Sequence, residues 1–162
     1  MTEQRNSDRF TGLADIYADH RPAYPAEIII SLAERANASD APRTAIDIGC
    51  GTGIATTALA KALPDWRVIA AEPNSDMLSK ARQFCEGQPN IEFQQADAEA
   101  LPADDGGAGL VLAAQALLWF DRPKFYAVAD RVLPSGGVLA ILYNNRQYAL
   151  SAVLRVVEDY LE

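Results

Sequence analysis

A chain of 162 residues, 49% of them apolar and spread along its length, has the composition of one globular domain and excludes a disordered chain. Its 14 basic and 22 acidic residues give a formal net charge of −8, which disfavours nucleic-acid binding and offers no polybasic anchor for a membrane. No apolar run has the length of a membrane span, the N-terminus MTEQRNSDRF is polar rather than a secretory signal, and Cys50, Cys85 and the single histidine, His20, supply neither a metal set nor a disulfide framework, so a reducing cytoplasm is the expected compartment.

In chain order, Asp8–Ala18 reads as a short helix, which RPAYP breaks because proline fixes its own φ and restricts the residue before it. Pro25–Ala36 is the next helix, with Ile28, Ile29 and Leu32 on its apolar face. Thr44–Ile48 is the first strand, and Gly53–Leu63 a helix closed by Pro64. Arg67–Glu72 is an apolar strand ending in an acid, followed by a helix over Ser75–Cys85 with Asn74 or Ser75 as N-cap. Ile91–Ala96 and Gly109–Ala114 are the third and fourth strands. Asp121 caps a helix running to Leu133, with Pro123 tolerated in its first turn. Gly137–Tyr143 is the fifth strand and Gln147–Leu161 a last helix, with Leu150, Val153, Leu154, Val157 and Leu161 along one stripe.

Strands separated by helices of about 10 residues imply a parallel sheet, and apolar runs rather than alternation imply that both of its faces are covered. In such α/β sheets ligands sit outside the carboxyl ends of the strands, where the strand order reverses. The first strand and its turn, TAIDIGCGTGIAT, belong there. Asp47 lies two residues before Gly49, and Gly51 and Gly53 follow at alternate positions. A side chain at these glycines would keep a ligand off the backbone or block a turn with positive φ, and the helix that follows presents free N–H groups to an anion. The dinucleotide pattern G-x-G-x-x-G fails because Ile54 stands where its third glycine belongs, and no Gly-Lys-Ser/Thr of a Walker loop follows.

These residues resemble the class I S-adenosylmethionine-dependent methyltransferases, most of all the small-molecule branch with trans-aconitate-type and quinone-type enzymes. DIGCGTG, AEPNSDML, QQADAEALP, LVLAAQALLWFD and RVLPSGGVLAILYNNR carry the likeness over nearly the whole chain. The resemblance implies a Rossmann-like doubly wound sheet of order 3-2-1-4-5, lacking the last two strands usual in the family. It implies one domain, with residues 1–42 as a helical cap and 43–162 as the cofactor-binding core. The backbone of Gly49, Cys50, Gly51 and Gly53 would wrap the methionine part of the cofactor, and Asp47 would hold its amino group. Glu72 would take the ribose hydroxyls, in keeping with the general spacing of ribose-binding acids. Asp97 and the N–H of Ala98 would meet the adenine, with Pro73 and Met77 beside it; Met77 is equally explained as a core residue. Ala114 and Gln115 would border the cofactor, and Tyr17 and Arg21 of the cap would reach its carboxylate end. Leu118 departs from the histidine that usually precedes WFD, which removes a polar contact near the transferred methyl.

The expected activity is methyl transfer from S-adenosylmethionine to a small-molecule acceptor, leaving S-adenosylhomocysteine. No residue stands out as a catalytic base, which suits an acceptor oxygen that is already ionised. Two alternatives remain: a non-catalytic S-adenosylmethionine-binding or interaction module, and an NAD-binding oxidoreductase domain. The short chain is expected to be a poor enzyme by itself, and an open edge at the fifth strand is expected to favour a homodimer.

Overall fold

The structure, a computed structural model, describes Gly12 and residues 22–144; the helices expected at Asp8–Ala18 and Gln147–Leu161, and the candidate residues Tyr17 and Arg21, lie outside them. Five short apolar runs form one parallel sheet: β1 (Thr44–Ile48), β2 (Arg67–Ala71), β3 (Ile91–Gln94), β4 (Leu110–Ala114) and β5 (Val138–Leu142), in the order β3-β2-β1-β4-β5. The helices are α1 (Ala26–Asn37), α2 (Ile54–Ala62), α3 (Ser75–Phe84) and α4 (Arg122–Val132). This is the expected order of strands and helices, with ends shifted by a residue or two. β3 stops at Gln94 rather than Ala96 because its last pair is with Ala71, the final residue of β2.

Both faces of the sheet are buried, which is why the strands read as unbroken apolar runs. On one face Ile46, Ile48, Ile69, Val111 and Ala113 pack against Phe125, Val128 and Val132 of α4. On the other, Ala45, Val68, Leu110 and Leu112 meet Ala33 and Ala36 of α1, Leu59 and Ala60 of α2, and Leu63 just past its end. The face of α1 differs from expectation. Ile29, Ala33 and Ala36 turn inward, whereas Ile28 is 42% exposed. The buried alanines form a helical stripe of small side chains, which lets α1 approach closely; the run of three isoleucines hides that stripe from a reading by hydrophobicity alone.

Asn74 is the N-cap of α3: its Oδ1 accepts from the N–H groups of Asp76 and Met77, both at 3.0 Å. Asn74→Ala is expected to lower stability by about 1 kcal/mol, the usual cost of losing a cap, and chemical denaturation measures it. A further element, a single 3₁₀ turn at Leu117–Trp119, follows β4 and connects it to α4.

Candidate functional site

The strand order reverses between β1 and β4, and a cleft opens at their carboxyl ends. Asp47 and the turn Gly49–Thr52 form its floor, Ile54 and Ala55 bring in the start of α2, and Ala114 ends β4 beside them. Asn144, Pro22 and Tyr24 line it as well.

The three glycines of the turn do different things. Only Gly51 faces open space: a Cβ there, at φ +55°, would meet nothing within 4 Å. A Cβ on Gly49 would strike the Cβ of Ala116 at 2.7 Å, and one on Gly53 would strike Cys85 Sγ at 2.7 Å. Two of the glycines therefore let protein elements approach, and one keeps the cleft clear.

Asp47 is fully buried in the central strand. Its Oδ2 accepts the hydroxyl of Thr56 at 2.6 Å, and its Oδ1 has no partner. Burial pushes its carboxyl up from 3.8 to about 6; the Thr56 bond opposes this and the charge of Glu72 adds to it. Thr52, 1% exposed, also lines the cleft, and its hydroxyl is likewise unpartnered. The adjoining N-terminus of α2 has no side-chain cap and no acid in its first turn. One cleft thus holds a spare carboxylate oxygen and, beside it, a hydroxyl and a helix end that suit an anion.

Glu72 is the first residue past β2. Its Oε2 accepts from Gly51 N–H and its Oε1 from Asn74 N–H, both at 3.0 Å. Each oxygen keeps a lone pair for a further donor. Burial raises this carboxyl, the two backbone bonds oppose the rise, and Asp97 adds to it. Asp97 itself is exposed, next to buried Ala98 in the stretch after β3. The carbonyl of Pro73 accepts from Gln95 Nε2 at 3.0 Å.

Of the residues singled out in the sequence, Asp47, Gly49, Cys50, Gly51 and Ala114 share the cleft. Glu72, tied to that group through Gly51, stands with Pro73 at the carboxyl end of β2, and Asp97 and Ala98 lie beyond the end of β3. Gly53 and Met77 face inward, Met77 being 2% exposed on α3. Burial pushes the Cys50 thiol up, with the charges of Asp47 and Glu72 adding to it, so it is an inert part of the turn. Gln115 lies at the end of β4 with a left-handed φ of 58°. Thr52, Thr56, Pro22 and Tyr24 are site residues that sequence reasoning missed. The signal for Thr56 was a hydroxyl in the first turn of α2, nine residues after Asp47, but Thr57 beside it carries the same signal.

The raised carboxyl of Asp47 fixes a pH dependence. The folded chain holds this proton more tightly than the unfolded chain does, so ionising Asp47 takes stability away as pH rises from about 4 through 6. Asp47→Asn should therefore raise the stability of the ligand-free protein at pH 7 relative to pH 4. Urea unfolding at the two pH values measures this, and an unchanged difference between them would contradict it.

The methyltransferase domain family matches residues 45–137, more than half of the chain. An uncharacterised methyltransferase of Mycobacterium tuberculosis is 34% identical over 149 residues, covering 92% of this chain and 57% of that protein. Trans-aconitate 2-methyltransferase of Deinococcus radiodurans is 36% identical over 97 residues, covering 59% of this chain and 36% of that one. A solved structure assigned as a type II methyltransferase, from Anaeromyxobacter dehalogenans, superposes with a TM-score of 0.67 at 31% identity, covering 87% of this chain and 58% of that chain. The fold is that of a Rossmann-like methyltransferase, and the chain belongs to the methyltransferase domain family, whose cofactor is S-adenosylmethionine. It spans about half the length of the curated relatives that it matches over most of its own length. Among the described residues no helix is long and apolar enough to cross a membrane.

Proposed function

We propose that the chain binds S-adenosylmethionine in this cleft and transfers its methyl group to a small-molecule acceptor. The observation that carries the reading is the unpartnered Asp47 Oδ1 beside an uncapped helix N-terminus. An amino acid offers an ammonium to the first and a carboxylate to the second. A dinucleotide has no ammonium to offer the carboxylate, and its pyrophosphate at this helix end would stand against a buried acid that repels it.

When bound, the cofactor supplies a methyl group on a sulfonium, open to in-line attack by the acceptor. The chain's part is to bind and orient. Asp47 holds the ammonium; the start of α2 and Thr52 hold the carboxylate; the free lone pairs of Glu72 accept the ribose hydroxyls. The carboxylate of Asp97 takes the adenine amino group and Ala98 N–H a ring nitrogen, with Pro73 and Met77 alongside. Gly49, Cys50, Gly51 and Gly53 shape the turn, Ala114 and Gln115 wall the cofactor, and Tyr17 and Arg21 of the 1–42 segment are the further ligands proposed for its carboxylate end. The acids nearest the cleft are thus engaged with the cofactor, so the fitting acceptor is one that needs no strong base, such as a carboxylate or a phenolate. The name of the Deinococcus relative points to the same class.

The same reading places the protein in the cytoplasm, where its two buried free thiols stay reduced. It also gives β5, which carries exposed Leu139, as the edge along which two chains pair into a homodimer.

Label transfer from methyl-labelled S-adenosylmethionine to trans-aconitate, a malonyl thioester, phenols and nucleic acid tests the activity. The expected result is label in a carboxylate or phenol and none in nucleic acid. Label in nucleic acid alone contradicts the proposal, and tight binding with no transfer favours a non-catalytic module.

A further inference from the structure

We propose that Thr56 is a positioning residue for the cofactor's ammonium: its hydroxyl occupies one oxygen of Asp47 and so presents the other, as an anion, to the cleft. The proposal rests on the cofactor reading above, and Thr56 itself touches no ligand in it.

Two threonines stand side by side in the first turn of α2, and their hydroxyls part. Thr57 Oγ1 turns to Cys85 Sγ at 3.0 Å. Thr56 is wholly buried and is not part of the cleft wall, and its hydroxyl donates to Asp47 Oδ2 at 2.6 Å. Asp47 does line the cleft, and its Oδ1 has no protein partner. With Oδ2 taken, Oδ1 is the oxygen left for a ligand. A buried oxygen without a partner costs stability, so a pairing that served the fold alone would leave neither oxygen bare.

The charge of Asp47 matters as much as its direction, because only the anion attracts an ammonium. Burial and the charge of Glu72 both favour the protonated acid; among the described residues the Thr56 hydroxyl is the one group that favours the anion. Three other titratable groups face Asp47: Glu72 past the end of β2, Cys50 of the turn and Cys85 after α3. Burial pushes both thiols up, which keeps them neutral, and none of the three is a cation that could replace the hydroxyl. β4, on the other side of β1, pairs with it through apolar Leu110, Val111 and Leu112.

The test is titration of the full chain with S-adenosylhomocysteine and with 5′-methylthioadenosine, which lacks the amino-acid arm, over a pH range that spans the Asp47 carboxyl at about 6. Wild-type affinity for S-adenosylhomocysteine should fall as pH drops through about 6, where Asp47 takes up a proton. Thr56→Val keeps the branched shape and removes the donor. Its midpoint should move up by about one pH unit, so that affinity drops about fivefold near pH 6 and recovers at higher pH. Thr56→Ser brings the donor back and should restore the wild-type midpoint. 5′-Methylthioadenosine has no ammonium, so its profile, which follows Glu72, should be the same in all three proteins. A wild-type midpoint in Thr56→Val, a loss equal at every pH, or equal losses for both ligands overturns this proposal alone. Thr56→Ala is read in the same way if the valine variant does not fold, and failure of both to fold makes Thr56 a structural residue and overturns the proposal too. A wild type that does not bind S-adenosylhomocysteine overturns the cofactor reading and this proposal with it.

Discussion

Gly51→Val is expected to abolish binding of S-adenosylhomocysteine while the sheet stays folded. The φ of +55° is poorly suited to a branched side chain, so stability should fall by about 1–2 kcal/mol. That loss is separate from the loss of binding. A Cβ at Gly51 meets no protein atom within 4 Å, so the added carbons enter the space that the ligand needs rather than a packed core. Affinity should fall at least a hundredfold, roughly 2.7 kcal/mol or more. Gly51→Ala separates the two effects: it carries much of the backbone strain with less of the bulk, and should keep measurable binding. The neighbouring glycine behaves differently. Gly53→Ala drives a Cβ to 2.7 Å from Cys85 Sγ, so its first effect is on stability. Calorimetry paired with circular dichroism distinguishes these cases, and Gly51→Val binding like wild type would contradict the orientation of the turn.

Glu72→Ala is expected to weaken binding by about 1.5–3 kcal/mol, the scale of hydrogen bonds to a charged group. Two contributions are mixed in that figure. Glu72 is the ribose acceptor in the proposed complex, and it also braces the turn through Gly51 N–H and Asn74 N–H. An analogue lacking the 2′ and 3′ hydroxyls separates them. Wild type should prefer the natural ribose, and Glu72→Ala should lose that preference. If the substitution weakens both ligands equally, Glu72 is a brace and not a ribose ligand.

Much of this was legible in the sequence, and the reasons are local. The acid-bearing strand, the alternating glycines and the carboxylate at the end of the second strand are short-range signals. The alternation of strands and helices fixes a parallel sheet, while the order 3-2-1-4-5 came from family resemblance. What the sequence concealed depends on distant neighbours. Gly49 and Gly53 look like Gly51 in the motif, yet the loop after β4 and the thiol of Cys85 decide their roles. Thr52 reads as filler between glycines until its hydroxyl is found buried and unpartnered. Tyr24 and Pro22 reach the cleft from the segment ahead of α1, more than 20 residues before the glycine turn they join. The inward face of α1 was misjudged at Ile28 because apolar residues there outnumber the positions that the core can take.

The most direct test of the central claim is calorimetric titration of the wild-type chain with S-adenosylhomocysteine and, separately, with NAD. The account predicts saturable one-site binding of S-adenosylhomocysteine and no heat with NAD. Saturation by NAD with no heat from S-adenosylhomocysteine would contradict it.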